Sequence, residues 1–373
     1  MLKVAIVGCG RVADDHAEQI ERIKDCEIVG VCDQEPLMAR QLYERFRVKQ
    51  YFSNLDDLLS QARPDVVHIT TPPHTHFSIA EMCLNAGCHV YVEKPFTVSL
   101  DEAGRLLSLA VRKGRKITVG HNAQFCHVAR RMRDLVSSGA LGGAPVHMES
   151  YFCYELRDAG YARALLADGG HWVRRLPGKL LHNIISHGIA PIAEFLTSDS
   201  PRVLAHGLVS PLLKRMGETE MIDELRVIIS EDEGTTAYFT FSSQMRPSLH
   251  QFRIYGPENG LILDQDHETL IKLRGKRFVS YADKFIPPAK FALQHIDNLF
   301  VNVRKFLARD FHLKSGMKFL IESFYSSIVN DTPEPISHRE ILLTARIMED
   351  IFNQLNGQSF DACANSNNVV RSK

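Results

Sequence analysis

Lys94 stands in the run Tyr91-Val92-Glu93-Lys94-Pro95-Phe96, directly after an apolar stretch, His89 to Val92, that reads as a strand. An ammonium at a strand's carboxyl end can hydrogen-bond a hydroxyl and favour its alkoxide. Pro95 can help aim it, since an X-Pro bond can be cis and sharply turned. Position alone fits a plain surface lysine equally well. His187 closes a second run, Pro177-Gly178-Lys179-Leu180-Leu181-His182-Asn183-Ile184-Ile185-Ser186-His187. In a helix Asn183 and His187 are four apart and share a face, with His182 pointing largely the other way. Of that pair only His187 can carry a proton near neutral pH. A histidine on a mostly apolar helix is also what a hydrogen-bonded core residue looks like. Pro191 opposes the carbonyl of His187, so the spacing predicts a bend there.

The element that would position Lys94 lies at the start of the chain. Lys3 to Val7 is a β-branched, apolar run, followed at once by Gly8-Cys9-Gly10 and a helical pattern opening at Val12. Gly8 permits a tight turn, and Gly10 lets backbone approach a phosphate; Ala13 takes the third place of the loose fingerprint G-x-G-x-x-G/A. The free N–H groups of the helix start then face the anion. A second strand, Glu27 to Cys32, ends in Asp33, where a dinucleotide fold places the carboxylate that binds the ribose hydroxyls. Gln34 follows and no Arg or Lys is adjacent, which favours NAD over NADP. The competing reading is a βαβ unit with a chance Gly-x-Gly.

The 373 residues suggest two domains, and 45% hydrophobic with 24% charged residues is ordinary for a globular protein. The formal net charge of zero gives no electrostatic case for nucleic acid. No apolar run is long enough to span a bilayer, and a first strand at residue 3 leaves no room for a signal peptide. The eight cysteines are scattered, Cys9, Cys32 and Cys83 within predicted elements, which fits a reducing cytoplasm. Cys83 and Cys88 read as small buried fillers. His74, His76, His121 and His171 lack a ligand pattern, so no metal is expected.

Strands and helices alternate through residue 122: a helix over 36–47, a strand closing at Tyr51-Phe52, strand Val66 to Thr70, then the stiff turn Thr71-Pro72-Pro73-His74-Thr75-His76. A helix runs to Asn85 with Gly87 as its cap, and Ser99-Leu100-Asp101-Glu102 is a capping box for a helix ending near Gly114. This pattern predicts a doubly wound parallel sheet over residues 1–123. From Val146 the pattern changes to strand-like runs at 146–154, 202–209, 225–230, 236–242, 250–255 and 261–263 without helix crossovers. They predict an α+β domain, 124–360, with a large open, mainly antiparallel sheet. Between 290 and 311, Phe291, Ile296, Leu299, Phe300, Val303, Phe306 and Leu307 fall on one helical face. That face suits packing on the sheet or another subunit, or else contact with a membrane surface. A capping box at Ser337-His338-Arg339-Glu340 opens a helix to about Leu355, stopped by Gly357; the polar tail 361–373 reads as disordered.

The pieces VAIVGCGRVADDH, TPPHTHFSIA, YVEKPF, VGHNAQF, SGALGGAPVHMES, PGKLLHNIISHGIA and GMKFLIESFYSSI resemble, in order, motifs of the Gfo/Idh/MocA family of oxidoreductases. The resemblance implies a Rossmann domain and a second α/β domain whose open sheet mediates homo-oligomers. It implies NAD(P)-dependent oxidation or reduction of a sugar, cyclitol or nucleotide sugar. Lys94 matches a catalytic lysine, and His187 the histidine of D-x-G-x-H, a frequent acid/base. Gly8, Gly10, Asp33, Thr71, Pro72, His76, Glu93 and Asn122 match positions near the cofactor; Cys9, Arg11 and Val12 complete the glycine turn. The family aspartate reads Asn183 here and its glycine Ile185, so an Asp–His relay is replaced by an amide that can only position a substrate. Trp172 and Arg174 could stack on or pair with a sugar or phosphate. The alternatives are an epimerase or glycosidase working by transient oxidation, and an NAD-binding sensor without turnover.

Overall fold

The computed structural model describes residues 1–155, 169–232, 234–275, 278–308, 311–312 and 314–369, with side chains to Gly357. The chain divides into two compact units. The first joins Met1–Arg130 with Asn302–Ala345, and the second joins Arg131–Val301 with Arg346–Lys373.

The first unit holds a six-stranded parallel sheet, β1 (Leu2–Val7), β2 (Cys26–Cys32), β3 (Tyr51–Phe52), β4 (Val66–Ile69), β5 (His89–Val92) and β6 (Ile117–Val119). Their order is β3-β2-β1-β4-β5-β6. The chain therefore reverses direction across the sheet between β1 and β4, and the carboxyl ends there open the crevice where such folds bind nucleotides. Val4 to Val7 and Val66 to Ile69 are fully buried runs, as strands covered on both faces must be. Ser99 caps the helix Leu100–Lys113, accepting the Glu102 amide at 3.2 Å while Glu102 accepts the Val98 amide, and Gly114 ends it at φ +60°. The expected capping box is thus formed.

The helix Ser315–Asn330 lies in this first unit, sending Met317, Leu320, Ile321, Phe324 and Tyr325 into its core. The sequence reading assigned this segment to the second domain. Chain order concealed the return, because an amphipathic helix carries no mark of which sheet it covers.

The second unit is built on a seven-stranded sheet: β7 (His147–Glu155), β8 (Arg202–Leu208), β9 (Glu224–Ser230), β10 (Thr236–Ser242), β11 (Gln244–Tyr255), β12 (Asn259–Asp264) and β13 (Thr269–Arg274). The order is β13-β12-β11-β7-β10-β9-β8; only β7 and β10 run parallel. The sheet is mixed and mainly antiparallel, as expected. β13 was not anticipated. Its buried residues Leu270 and Ile271 are adjacent rather than alternating, so the two-residue period is lost.

The amphipathic helix begins earlier than expected and spans Ala282–Leu307, with Pro287 and Pro288 inside it. Its polar side, not its apolar one, meets the sheet. Gln294 Oε1 accepts the Lys272 amide at 2.7 Å, and its Nε2 donates to the Lys272 carbonyl at 3.2 Å. Asn298 does the same for Leu270, at 3.2 and 3.0 Å. Two amides four apart thereby pair the open edge of β13 as a further strand would. Ile296, Leu299, Phe300, Val303, Phe306 and Leu307 remain exposed. No helix among the described residues is long and apolar enough to cross a membrane. The last helix runs from His338 to Val369, through Gly357 rather than stopping there; a helical glycine costs only about 1 kcal/mol. Of the tail, residues 370–373 lie outside the described residues.

Candidate nucleotide-binding and catalytic site

Gly8 follows β1 at φ +94°, and a Cβ there would lie 2.7 Å from the backbone nitrogen of Thr71. Only glycine fits both the conformation and the approach. Gly10 caps the helix Arg11–Glu21 in extended geometry without a side-chain bond, and space in front of it is open within 4 Å. The first-turn amides thus face an open cradle suited to a pyrophosphate. Arg11 and Val12 are exposed at this helix start. Cys9 is buried beneath it, its Sγ 3.5 Å from the Cys32 carbonyl, and burial pushes its thiol far above the usual range.

Asp33 leaves β2 beside this turn. One carboxylate oxygen accepts the Cys9 amide at 2.7 Å and the other the Glu35 amide at 2.9 Å. The carboxylate is held in place while remaining partly exposed, as a ribose acceptor must be.

Across the reversal point, Thr70 Oγ1 donates to the Gly8 carbonyl at 2.5 Å, and Thr75 Oγ1 donates to Thr71 Oγ1 at 2.7 Å. Pro72 leads into a short 3-10 turn, Pro73–Thr75. His76 is buried, with Nε2 2.8 Å from the Thr71 carbonyl and Nδ1 2.9 Å from the Pro95 carbonyl. It ties the Thr71-Pro72 turn to the loop after β5. Burial pulls its pKa down despite these carbonyls and Glu93.

That loop carries Glu93 and Lys94, and the Lys94–Pro95 peptide is cis. Lys94 is half-buried. Burial lowers its pKa, while Glu93 pulls the other way. Glu93 is buried, which opposes its charge. The His16 hydrogen bond and charge, with Lys94, outweigh that and hold the carboxyl below its ordinary value. A lowered lysine beside a fixed carboxylate is a common acid–base arrangement. Asn122 starts the turn after β6 and accepts the Tyr91 hydroxyl at 2.9 Å. Next to it His121 is buried, and burial lowers its pKa to about 4. Gly8, Cys9, Gly10, Asp33, Thr71, Pro72, His76, Glu93, Lys94 and Asn122 therefore all cluster at the carboxyl ends of one sheet.

Sequence reasoning missed His16, His68, Tyr91 and Tyr325 beneath this cluster. Their signal was four polar aromatic rings on otherwise apolar faces.

In the second unit the segment holding Asn183 and His187 is two short helices, Lys179–Ile184 and Ser186–Phe195. The break comes at Ile185, ahead of Pro191, which lies inside the second helix. From Leu180 to Pro191 only Asn183 and His187 are not buried, so the shared face expected from their spacing survives the break. His182 points elsewhere, stacked 4.9 Å from Phe352, whereas His187 stacks 5.0 Å from Phe152 on β7. Ser150 Oγ donates to the Gly188 carbonyl at 2.8 Å, anchoring this helix to the sheet. Arg174 pairs with Glu218 at 2.7 Å, and Trp172 stacks on His171 at 5.6 Å. Residues 156–168, ahead of Trp172 and Arg174 in the chain, lie outside the described residues.

Residues 2–121 match the family model described as "Oxidoreductase family, NAD-binding Rossmann fold". Over this N-terminal domain the chain matches the Gfo/Idh/MocA family of oxidoreductases. It is 29% identical over 248 residues to 1-carboxy-3-chloro-3,4-dihydroxycyclohexa-1,5-diene dehydrogenase of Comamonas testosteroni, covering 65% of this chain and 58% of that protein. It is 32% identical over 142 residues to D-glucoside 3-dehydrogenase of Escherichia coli, covering 38% of this chain and 40% of the relative. The matched stretches thus span about half the length of these curated relatives. The fold is similar throughout to that of the WlbA dehydrogenase of Bordetella pertussis, solved with NADH and UDP-GlcNAcA, with a TM-score of 0.75 at 16% identity over 96% of both chains.

Proposed function

We propose that this protein is an NAD-dependent dehydrogenase that transfers a hydride between nicotinamide and a carbinol or ketone carbon of a sugar, cyclitol or nucleotide sugar. The observation that carries the reading is the half-buried Lys94 at the carboxyl end of β5, on the sheet edge that also bears the Gly8–Gly10 cradle and Asp33. When bound, the nicotinamide supplies the hydride acceptor or donor. The helix-start amides and Asp33 hold the pyrophosphate and ribose, and the fixed carboxylate selects against a 2′-phosphate. Lys94 donates to the substrate oxygen and stabilises it as an alkoxide. His187 exchanges the hydroxyl proton and Asn183 orients the substrate, with Trp172 and Arg174 as further contacts. The named activities of the relatives support an alcohol oxidation on a ring. The purified protein should reduce NAD with at least one member of a sugar, cyclitol and nucleotide-sugar panel. Lys94→Ala should abolish that turnover and leave NAD binding measurable; full activity in that variant would remove Lys94 from the mechanism.

The second unit supports a homo-oligomer through its sheet. Leu204, Ile228 and Tyr238 pair in register across β8, β9 and β10, and are 63%, 45% and 48% exposed. A row of large apolar side chains across three strands suits a partner sheet. Ile228→Glu should lower the mass measured by light scattering.

A further inference from the structure

Four buried side chains of the first unit form an unbroken chain that ends under Lys94. Tyr325 Oη lies 2.8 Å from His68 Nε2, His68 Nδ1 lies 2.7 Å from His16 Nδ1, and His16 Nε2 lies 2.9 Å from Glu93 Oε1. All four residues are under 8% exposed. The His68 ring is clamped, stacked on Tyr91 at 4.7 Å and 3°, with Tyr325 and His16 edge-on.

Glu93 as a carboxylate accepts, so His16 Nε2 must carry hydrogen. The short contact between the two Nδ1 atoms needs one proton between them. That proton sits on His68, with Tyr325 donating to His68 Nε2, or on His16, which is then an imidazolium. In both arrangements His16 Nε2–H points at Glu93. The carboxylate itself disfavours the tautomer that would set a lone pair against it, and the Tyr325 hydroxyl, which can donate or accept, serves either arrangement. Glu93 is confined on its other side: a Cβ on Gly120 would lie 2.6 Å from Oε1, and Oε2 accepts the Lys94 amide at 3.1 Å.

We propose that His16 is a positioning residue for Lys94: Tyr325 and His68 hold its ring from the far side, its Nε2–H fixes the Glu93 carboxylate, and that carboxylate is the counter-charge beside Lys94. This rests on the role given to Lys94 above. The titratable groups facing Glu93 and the chain are His16 from the helix Arg11–Glu21, His68 from β4, Tyr91 from β5 and Lys94 from the loop. His76 on the helix His76–Asn85, His121 after β6, and Tyr325 from the helix Ser315–Asn330, with Cys26 beyond it, complete the set. Of these His68 is driven well below its ordinary value by burial and His16, and His121 is lowered to about 4 by burial, so neither is a cation beside Glu93 at neutral pH.

The sign follows. Without the His16 donor, burial drives Glu93 to take up a proton, Lys94 loses its counter-charge, and Lys94 gives up its own proton at lower pH. The test uses the full chain as wild type, His16→Leu, His16→Gln and Tyr325→Phe. Competitive acetic anhydride labelling of Lys94 across pH, read by peptide mass spectrometry, gives the pH at which Lys94 loses its proton. His16→Leu should lower that midpoint by at least about one pH unit. Gln, which keeps an N–H donor, should restore most of it, and Tyr325→Phe should shift it less in the same direction. The alkaline limb of kcat should move with the midpoint, while NAD affinity stays as in wild type. A midpoint unmoved in His16→Leu overturns the proposal; should that variant not fold, an unmoved midpoint in Tyr325→Phe does so. Labelling shifts in the variants of a protein whose wild type oxidises no polyol refute the dehydrogenase reading and leave the positioning chain standing.

Discussion

The Cys9 amide donates to Asp33 across 2.7 Å, joining the turn after β1 to the end of β2. Two strand ends are thereby locked together by a charge-assisted bond. In the proposed dehydrogenase the same carboxylate would do two jobs, fixing the glycine turn and accepting the ribose hydroxyls.

Asp33→Ala should therefore weaken NAD binding more than loss of a ribose contact alone. A hydrogen bond to a charged group contributes about 1.5–3 kcal/mol, so the affinity should fall by about tenfold or more. Preference for NAD over NADP should shrink as well. Isothermal titration with both nucleotides checks this; unchanged affinity would remove Asp33 from the cradle.

Gly120→Ala should destabilise the first unit. The new methyl would press on the Glu93 carboxylate, and overpacking of this kind costs about 1–3 kcal/mol. Adding Glu93→Ala should relieve the clash, so the two substitutions together should cost less than their sum. Denaturant titration of the double-mutant cycle measures the coupling.

Acid should destabilise the fold before its carboxylates are protonated. His121 is lowered by burial to about 4, as is His89, so each stays neutral in the folded chain while the unfolded chain binds a proton near 6.5. Stability is then full above 6.5 and falls as pH drops towards 4, by up to about 1.4 kcal/mol per pH unit for a fully buried group. Melting temperature against pH reads the slope, and His121→Gln should flatten it.

Asn298→Leu should unfasten the edge of β13. The Leu270 amide and carbonyl would lose both partners, at about 1–3 kcal/mol for each unsatisfied group. Hydrogen exchange at Leu270 and Lys272 should accelerate while β1 and β4 keep their protection.

Local patterns made the Rossmann sheet legible: the apolar run into Gly8, the acid at Asp33, the box at Ser99–Glu102. Each is written within a few residues, because a turn, a cap or a strand end is a short-range arrangement. The shared face of Asn183 and His187 was legible for the same reason, from a spacing of four. β13 was not, since its buried pair breaks the alternation, and neither was the way the helix Ala282–Leu307 uses its polar side against a sheet edge.

What the sequence determined by itself is the cradle and the position of Lys94 at a strand end. Only the tertiary structure decided what lies beneath them. His16, His68, Glu93 and Tyr325 come from a helix, a strand, a loop and a helix more than two hundred residues further on. Their meeting depends on which face of the sheet the segment 315–330 returns to cover, and that is settled by packing of the whole core rather than by any local preference.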